Sequence, residues 1–592
     1  MQLAEKPFST DVARVIRREM LKEPMIVFEN FGYKYRSQAE PTVKDINLTI
    51  RKGERVIIVG PSGCGKSTLA HCLNGLNPFS YPGEITGSLK ICGHETKEMG
   101  IFGLSKYVGT VLQDTDGQFI GMTVLEDIAF AMENDLVEHE ELKKRTFTEA
   151  KKVHLLEKID AAPHALSGGQ KQRVSLAGVL VNRVPILLFD EPLANLDPAS
   201  GKEAMELIDE IQKETDTTVV IIEHRLEDAL HMGADRIVLM QEGKIVCDAT
   251  PSQLFATDML EKAGIREPLY ITALKYAGVE LTADMPLQRI QELTLSDKQK
   301  EKVREWFYQE QWTLPKAEEK QLLSVENISF GYVEKTYNLY DVNFQVFEGE
   351  MTSIVGKNGA GKSTLAKLLC GFEKQNKGII RLRGKDITED NIKERAKTIG
   401  YVMQNPNQMI SKPMIFEEVA LSLEVAHVPK EEIQERVYKA LKICGLYEFR
   451  NWPISALSYG QKKRVTIASI LVQNPKVLIL DEPTAGQDFR HYTEIMEFLK
   501  ELNRQGITVL MITHDMHLML EYTNRCLVFS DGHLISDTTP VELFTDKDLL
   551  EKANLKETSL FELANMCGLP PKEYIDKFIV YDRNLRSGKE EA

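Results

Sequence analysis

The chain has 592 residues, of which 43% are hydrophobic and 27% charged, with a formal net charge of −15. This supplies apolar material for more than one core, and the acidic balance argues against a nucleic-acid binder, which presents a basic face. No run approaches the roughly 18 apolar residues of a membrane span, and the eight scattered cysteines, without a CxxC pair, fit a reducing cytoplasm better than a disulfide framework.

Residues 1–24 read as a short polar lead, and MQLAEKPFSTDVARVIRREM lacks the unbroken apolar core of a signal peptide. Alternation in MIVFENFGYKY, which contains Tyr35, opens a first domain at 25–255. A strand-like run, RVIIVG, feeds the glycine-rich loop GPSGCGKST, comprising Gly60, Ser62, Gly63, Cys64, Gly65, Lys66, Ser67 and Thr68 among its residues. Helical spacing follows in TLAHCLNGL. After Gln113, the charged, Leu/Ala-bearing stretch from Glu126 to Ile159 predicts a helical sub-domain. LSGGQ (Ser167, Gly168, Gly169, Gln170) predicts a helix start. ILLFDEP is an apolar run ending in Asp190 and Glu191, the mark of a buried parallel strand, and TTVVIIE leads to His224.

Between 256 and 320 the pattern changes to charged helical sequence, ending in the linker-like QEQWTLPKAEEK. A second domain at 321–545 then repeats the first. It carries Tyr332, the loop GKNGAGKST (Gly356, Asn358, Gly359, Ala360, Gly361, Lys362, Ser363, Thr364) and Gln404. LSYGQ (Ser458, Gly460, Gln461), VLILDEP with Asp481 and Glu482, and finally His514 complete it. A mostly helical tail occupies 546–592. Gln113 to Ser167 and Gln404 to Ser458 are each 54 positions, and each serine precedes the strand-end aspartate by 23. A repeat of this period means two homologous domains rather than a solenoid.

The chemistry follows from the residue types. A GxxxxGK[ST] loop between strand and helix turns backbone amides inward as an anion nest; Lys66 and Lys362 can reach β- and γ-phosphates, and Ser67 and Ser363 can place hydroxyls on Mg²⁺. Asp190 and Asp481 can hold that ion through water, and Glu191 and Glu482 can orient or deprotonate an attacking water. Neutral His224 and His514, 34 and 33 positions beyond the strand-end aspartates, can touch a γ-phosphate and hold the water's geometry.

At its position between a helical stretch and the Asp-Glu strand, LSGGQ identifies a resemblance to the ATP-binding-cassette family, covering roughly 25–255 and 322–545. The resemblance implies an α/β chain with two tandem P-loop NTPase domains, each a RecA-like core with a helical and an antiparallel β sub-domain. It further implies cassettes paired head to tail, with ATP and Mg²⁺ as cofactors. Each ATP would lie between one glycine loop and the other cassette's signature, with Gln113 and Gln404 near the metal and Tyr35 and Tyr332 stacking on adenine. YVMQNPNQMI (Tyr401–Ile410) resembles the corresponding segment of energy-coupling-factor importer ATPases, whereas the first copy has Asp114-Thr115 where Asn-Pro is usual. In that group the cassettes drive uptake of vitamins or transition-metal ions, with fused cassettes resembling those assigned to hydroxymethylpyrimidine or thiamine. They grip a membrane-embedded coupling protein, while a separate membrane subunit captures the solute. The expected location is therefore peripheral, on the cytoplasmic face of the cell membrane, with no nucleic-acid partner.

Two other classes compete. A tandem-cassette translation factor acting on ribosomes would carry a linker rich in Lys and Arg, and this linker mixes both signs. A DNA-repair ATP clamp needs a long coiled-coil insertion, for which 54 residues are too few. Tyr459, where the first copy has Gly168, introduces a ring into the second signature and predicts two unequal sites.

Overall fold

The computed structural model describes residues 23–112, 115–194, 196–309, 320–333, 337–485 and 487–590. The lead at 1–22, Gln113 and the linker at 310–319 lie outside the described residues. The chain divides into two compact units. The first runs to Asn195 and includes Lys202–Glu267 and Leu281–Glu292; the second takes Leu196–Gly201, Pro268–Glu280 and the chain from Leu293 onward.

In the first unit the strands are β1 (Pro24–Tyr35), β2 (Val43–Arg51), β3 (Arg55–Val59), β4 (Gly83–Ile91) and β5 (His94–Glu95). They continue with β6 (Val108–Val111), β7 (Ile186–Asp190), β8 (Thr218–Ile222), β9 (Arg236–Gln241) and β10 (Lys244–Ala249). A six-stranded sheet of order β10-β9-β3-β8-β7-β6 is parallel except at the β9–β10 edge. Its central strands β3 (RVIIV) and β8 (TVVII) are buried at every position, as strands covered on both faces must be. The strands β2-β1-β4-β5 make a separate antiparallel sheet. Its inward residues, among them Phe28, Phe31 and Tyr33, share one core with Leu69 and Leu73 of helix α1 (Lys66–Leu73).

The predicted helical sub-domain comprises α2 (Val124–Asn134), α3 (His139–Lys152) and α4 (Gly168–Leu180). Thr123 and Glu126 form a reciprocal capping box at the start of α2, satisfying amides that the first turn leaves unpaired. The signature does the same for α4: Ser167 Oγ accepts from the Gln170 amide, and the Ser167 amide donates to Gln170 Oε1.

The second unit includes two helices from the inter-cassette segment, α5 (Leu269–Tyr276) and α6 (Asp297–Tyr308). Its strands are β11 (Gln321–Phe330), β12 (Leu339–Phe347), β13 (Met351–Gly356), β14 (Lys377–Leu382) and β15 (Lys385–Asp386). Then come β16 (Ile399–Val402), β17 (Val477–Asp481), β18 (Thr508–Ile512), β19 (Arg525–Ser530) and β20 (His533–Thr538). Orders β12-β11-β14-β15 and β16-β17-β18-β13-β19-β20 reproduce both sheets of the first unit. Helix α7 (Lys362–Cys370) follows the second glycine loop, and α8 (Ile415–Val425), α9 (Lys430–Ile443) and α10 (Tyr459–Leu471) build the second helical sub-domain.

The tail contributes α11 (Ser559–Cys567) and α12 (Pro571–Glu590), which pack on the inter-cassette helices. Tyr276 stacks on Phe578 and donates its hydroxyl to Asp582 at 2.6 Å, while Trp306 meets Tyr574 and Tyr581 edge-on. Arg304 Nε donates to the Cys567 carbonyl at 2.8 Å. Segments read from sequence as linker and tail thus share one aromatic core within the second unit.

Candidate functional site

In each unit the glycine loop leaves the C-terminal end of a central strand, β3 or β13, where ligands of open α/β sheets bind. Gly65 and Gly361, with φ of 104° and 96°, precede α1 and α7 in the left-handed region that only glycine enters freely. A Cβ at Gly65 would press on the Thr42 carbonyl at 3.0 Å. Ser62, Gly63, Ser67, Asn358, Gly359 and Ser363 are exposed along the loops, whereas Cys64 and Ala360 face inward. Cys64, 3% exposed, is part of the hydrophobic core; its amide donates to the Pro61 carbonyl at 3.2 Å and its Sγ lies 4.0 Å from Lys66 Nζ.

Both lysines are buried and turned onto their own loops. Lys66 Nζ donates to the carbonyls of Gly60 and Pro61 at 2.8 and 3.1 Å, and Lys362 Nζ to those of Gly356 and Lys357 at 2.6 and 2.9 Å. Burial lowers Lys362 to about 8, against the pull of Glu482. Thr68 Oγ1 lies 3.2 Å from the Tyr35 hydroxyl, to which Asn77 also donates. Tyr35 is therefore half-buried and tied into the core, whereas Tyr332 is 51% exposed beside Phe330.

The strand-end acids come next. Asp190 and Asp481 close β7 and β17 in register with Ile222 and Ile512. The following residues, Glu191 and Glu482, adopt φ of 49° and 46° while their amides donate to the Ile222 and Ile512 carbonyls at 2.9 Å. A left-handed conformation at a non-glycine residue costs about 1–3 kcal/mol and concentrates at functional sites. Here it aims both carboxylates at the histidines: Glu191 Oε1 lies 3.0 Å from His224 Nε2, and Glu482 Oε1 lies 3.3 Å from His514 Nε2. In each unit the strand-end glutamate and the histidine picked out by its spacing thus meet.

The acids differ in their surroundings. Asp190 Oδ1 is buried with no hydrogen-bond partner, and burial followed by the charge of Glu191 pushes its carboxyl up to about 6. Asp481 Oδ2 instead accepts from the Tyr401 hydroxyl at 3.0 Å; Thr110 occupies the matching place on β6. Burial, then the Asp481 charge, raises the Tyr401 phenol, keeping it a neutral donor.

Three residues escaped the sequence reading. Glu223, 2% exposed, accepts from the amides of Leu193, His224 and Arg225, tying the acid loop to the histidine loop in the first unit. The second unit has Thr513 there, whose hydroxyl accepts from the Asp515 amide. A charged residue closing the otherwise apolar run VVIIE was the available signal. Tyr401 and Lys463 gave no comparable signal, because their partners are set by the fold. Tyr459 also finds a partner inside its own cassette, donating to the Gln404 carbonyl at 3.2 Å.

The fold and these paired sites define a tandem nucleotide-hydrolysing cassette protein. A family model for ABC transporters matches residues 43–194 and 339–485, and one described as an ATP-binding cassette cobalt transporter matches 257–330. A putative ABC transporter ATP-binding protein of Clostridium perfringens is 57% identical over 569 residues, covering 96% of this chain and 100% of that protein. One from Enterococcus faecalis is 58% identical over 572 residues, with coverage of 96% and 100%. A solved structure of cbiO1 from Clostridium perfringens, titled as part of the ABC transporter complex cbiONQ, shares 37% identity. It covers 40% of this chain and 95% of that one, with a TM-score of 0.37. This chain belongs to the ABC transporter ATP-binding protein family and is an ATP-binding ATPase; a ribosomal role is not favoured by its relatives.

Proposed function

We propose that this chain powers a membrane importer of the energy-coupling-factor type, for a transition-metal ion or a vitamin, from the cytoplasmic face of the cell membrane. The observation that carries the reading is the match of 257–330 to a cobalt-transporter cassette family. It falls on the segment that distinguishes this chain from a bare pair of cassettes. Among the described residues no helix is long and apolar enough to cross a membrane, so the reading requires a membrane-embedded coupling protein and a separate solute-binding membrane subunit. Ile120 and Met122, beside the first glutamine loop, are 64% and 82% exposed, a surface suited to an apolar partner segment.

In this reading Lys66 and Lys362 leave their loop carbonyls for the β- and γ-phosphates of ATP, which the loop amides cradle. Ser67, Asp190 and Gln113 would hold Mg²⁺ in the first cassette, and Ser363, Asp481 and Gln404 in the second. The unpartnered buried oxygen of Asp190 fits that role. When bound, Mg²⁺ supplies charge neutralisation at the phosphate oxygens. Glu191 and Glu482 accept the proton of the attacking water, held in place by the Nε2–H of His224 and His514. Tyr332, with its exposed ring, is better placed than Tyr35 to stack on adenine, and Ser167 and Ser458 present their helix N-termini to phosphate.

The test is purification of the tagged full chain from native membranes in mild detergent, followed by uptake assays. Co-isolation of a polytopic protein and a small membrane subunit, with ATP-dependent uptake of cobalt, nickel or a thiamine precursor, is expected. Recovery with ribosomes and none in the membrane fraction would overturn it.

A further inference from the structure

The two signature helices are anchored differently inside their own cassettes. Lys463, on the first turns of α10, is 1% exposed, and its Nζ donates to the carbonyls of Met403 and Gln404 at 3.0 and 2.7 Å. Tyr459, one turn earlier, donates its hydroxyl to the same Gln404 carbonyl at 3.2 Å. The backbone of the glutamine loop is thus held by two side chains of the signature helix. In the first cassette these positions are Gly168 and Gln172, and Gln172 Nε2 donates to the Pro192 carbonyl behind Glu191 at 2.7 Å.

We propose that Lys463, assisted by Tyr459, is a positioning residue that locks the Gln404 loop of the second cassette to its own signature helix, so that the two move as one body during turnover. Burying an ammonium is costly unless its donors are met. Two carbonyl acceptors meet them here, while Asp481 and Glu482 favour its charge against a burial that lowers it to about 8. Charge-assisted bonds are about twice as strong as neutral ones, and both end on backbone atoms, which move only with the loop. Gln404 is itself exposed, so the grip acts on its main chain. The consequence is a second site whose metal-side glutamine is pre-placed, and a first cassette whose signature helix is tied to the acid loop.

The inference rests on the ATP-site reading of Gln404, and two measurements on the full-length chain keep them separable. Lys463→Gln installs the first cassette's residue. Hydrogen–deuterium exchange of the amides at 403–410 is expected to quicken about tenfold, the loss of a charge-assisted anchor. ATPase kcat is expected to fall severalfold with KM for ATP nearly unchanged, and Lys463→Arg to retain most of both properties. Tyr459→Phe removes one hydroxyl without touching the buried charge, and is expected to give the same change in smaller measure even if Lys463→Gln folds poorly. Unaltered loop exchange in both variants, or faster exchange with undiminished kcat, overturns the proposal. Glu482→Gln reports on the other reading: if it leaves turnover intact, the ATP-site assignment fails, while loop exchange still decides whether Lys463 holds the loop.

Discussion

Glu223 lies behind His224 with its carboxylate shared among three backbone amides, those of Leu193, His224 and Arg225. The Leu193 bond spans 30 residues, so one side chain fixes the acid loop relative to the histidine loop and sets the 3.0 Å contact between Glu191 and His224. Burial raises the Glu223 carboxyl, opposed by the charge of Arg225 and the amides that stabilise the ionised form. Replacing it with glutamine turns an NH₂ group toward amides that can only donate. Glu223→Gln should cost about 2 kcal/mol of stability, the penalty for a buried donor left unmet. It should also slow the first site, because a misplaced Glu191 no longer aligns water. Thermal unfolding and turnover measured in a Glu482→Gln background would check both effects; unchanged values would make Glu223 a passive core acid.

Helix α12 acts on the element scale, reaching back to the short helix Met516–Tyr522 that follows His514. Arg583 donates to the carbonyls of Glu521, Leu520 and Thr523 at 2.6, 3.0 and 3.3 Å, capping a helix end whose last carbonyls lack intrahelical partners. Arg586 adds ion pairs to Glu521 and Asp582. Arg583→Ala should cost about 2–3 kcal/mol by stranding those carbonyls, and limited proteolysis should then cut within the tail before the cassette cores. Cleavage at an unchanged rate would show that the aromatic contacts hold the tail without it. Little of this docking was legible in sequence. The glycine loops, the acid-ended strands β7 and β17, and the helical sub-domains were legible because each is a local pattern read within one strand or helix. The Tyr276–Asp582 bond joins residues 306 positions apart, and nothing near either one marks the other. The Glu–His pairs sit between these cases: spacings of 34 and 33 positions from the strand-end aspartates exposed the histidines, although the contact itself is tertiary. Lys463 and Gln172 occupy the same place in the repeat, and only packing shows that they hold different carbonyls.

Across the whole molecule the duplicated parts are complete, yet their supports differ. The first cassette has an unpartnered Asp190 oxygen and Glu223 behind the histidine; the second has Tyr401 on Asp481 and Lys463 on the glutamine loop. The sequence suggested inequality through the ring of Tyr459; the contacts inside the second cassette predict it on a different physical ground. In the proposed reading Tyr459 and Lys463 order the loop of their own cassette, so the second site would need less rearrangement before hydrolysis, and preorganised groups act at no further cost in the transition state. Glu482→Gln should therefore remove more turnover than Glu191→Gln, by about tenfold if the preorganisation difference is worth about 1.4 kcal/mol. The double substitution sets the floor against which both single variants are read. ATP binding should survive in all three, because glutamine keeps the size of the side chain and the phosphate loops are untouched. Steady-state ATPase rates on the full chain, with nucleotide binding measured separately, test this directly. Equal losses, or a greater loss from Glu191→Gln, would show that the Lys463 and Tyr401 contacts hold the structure without setting the rate.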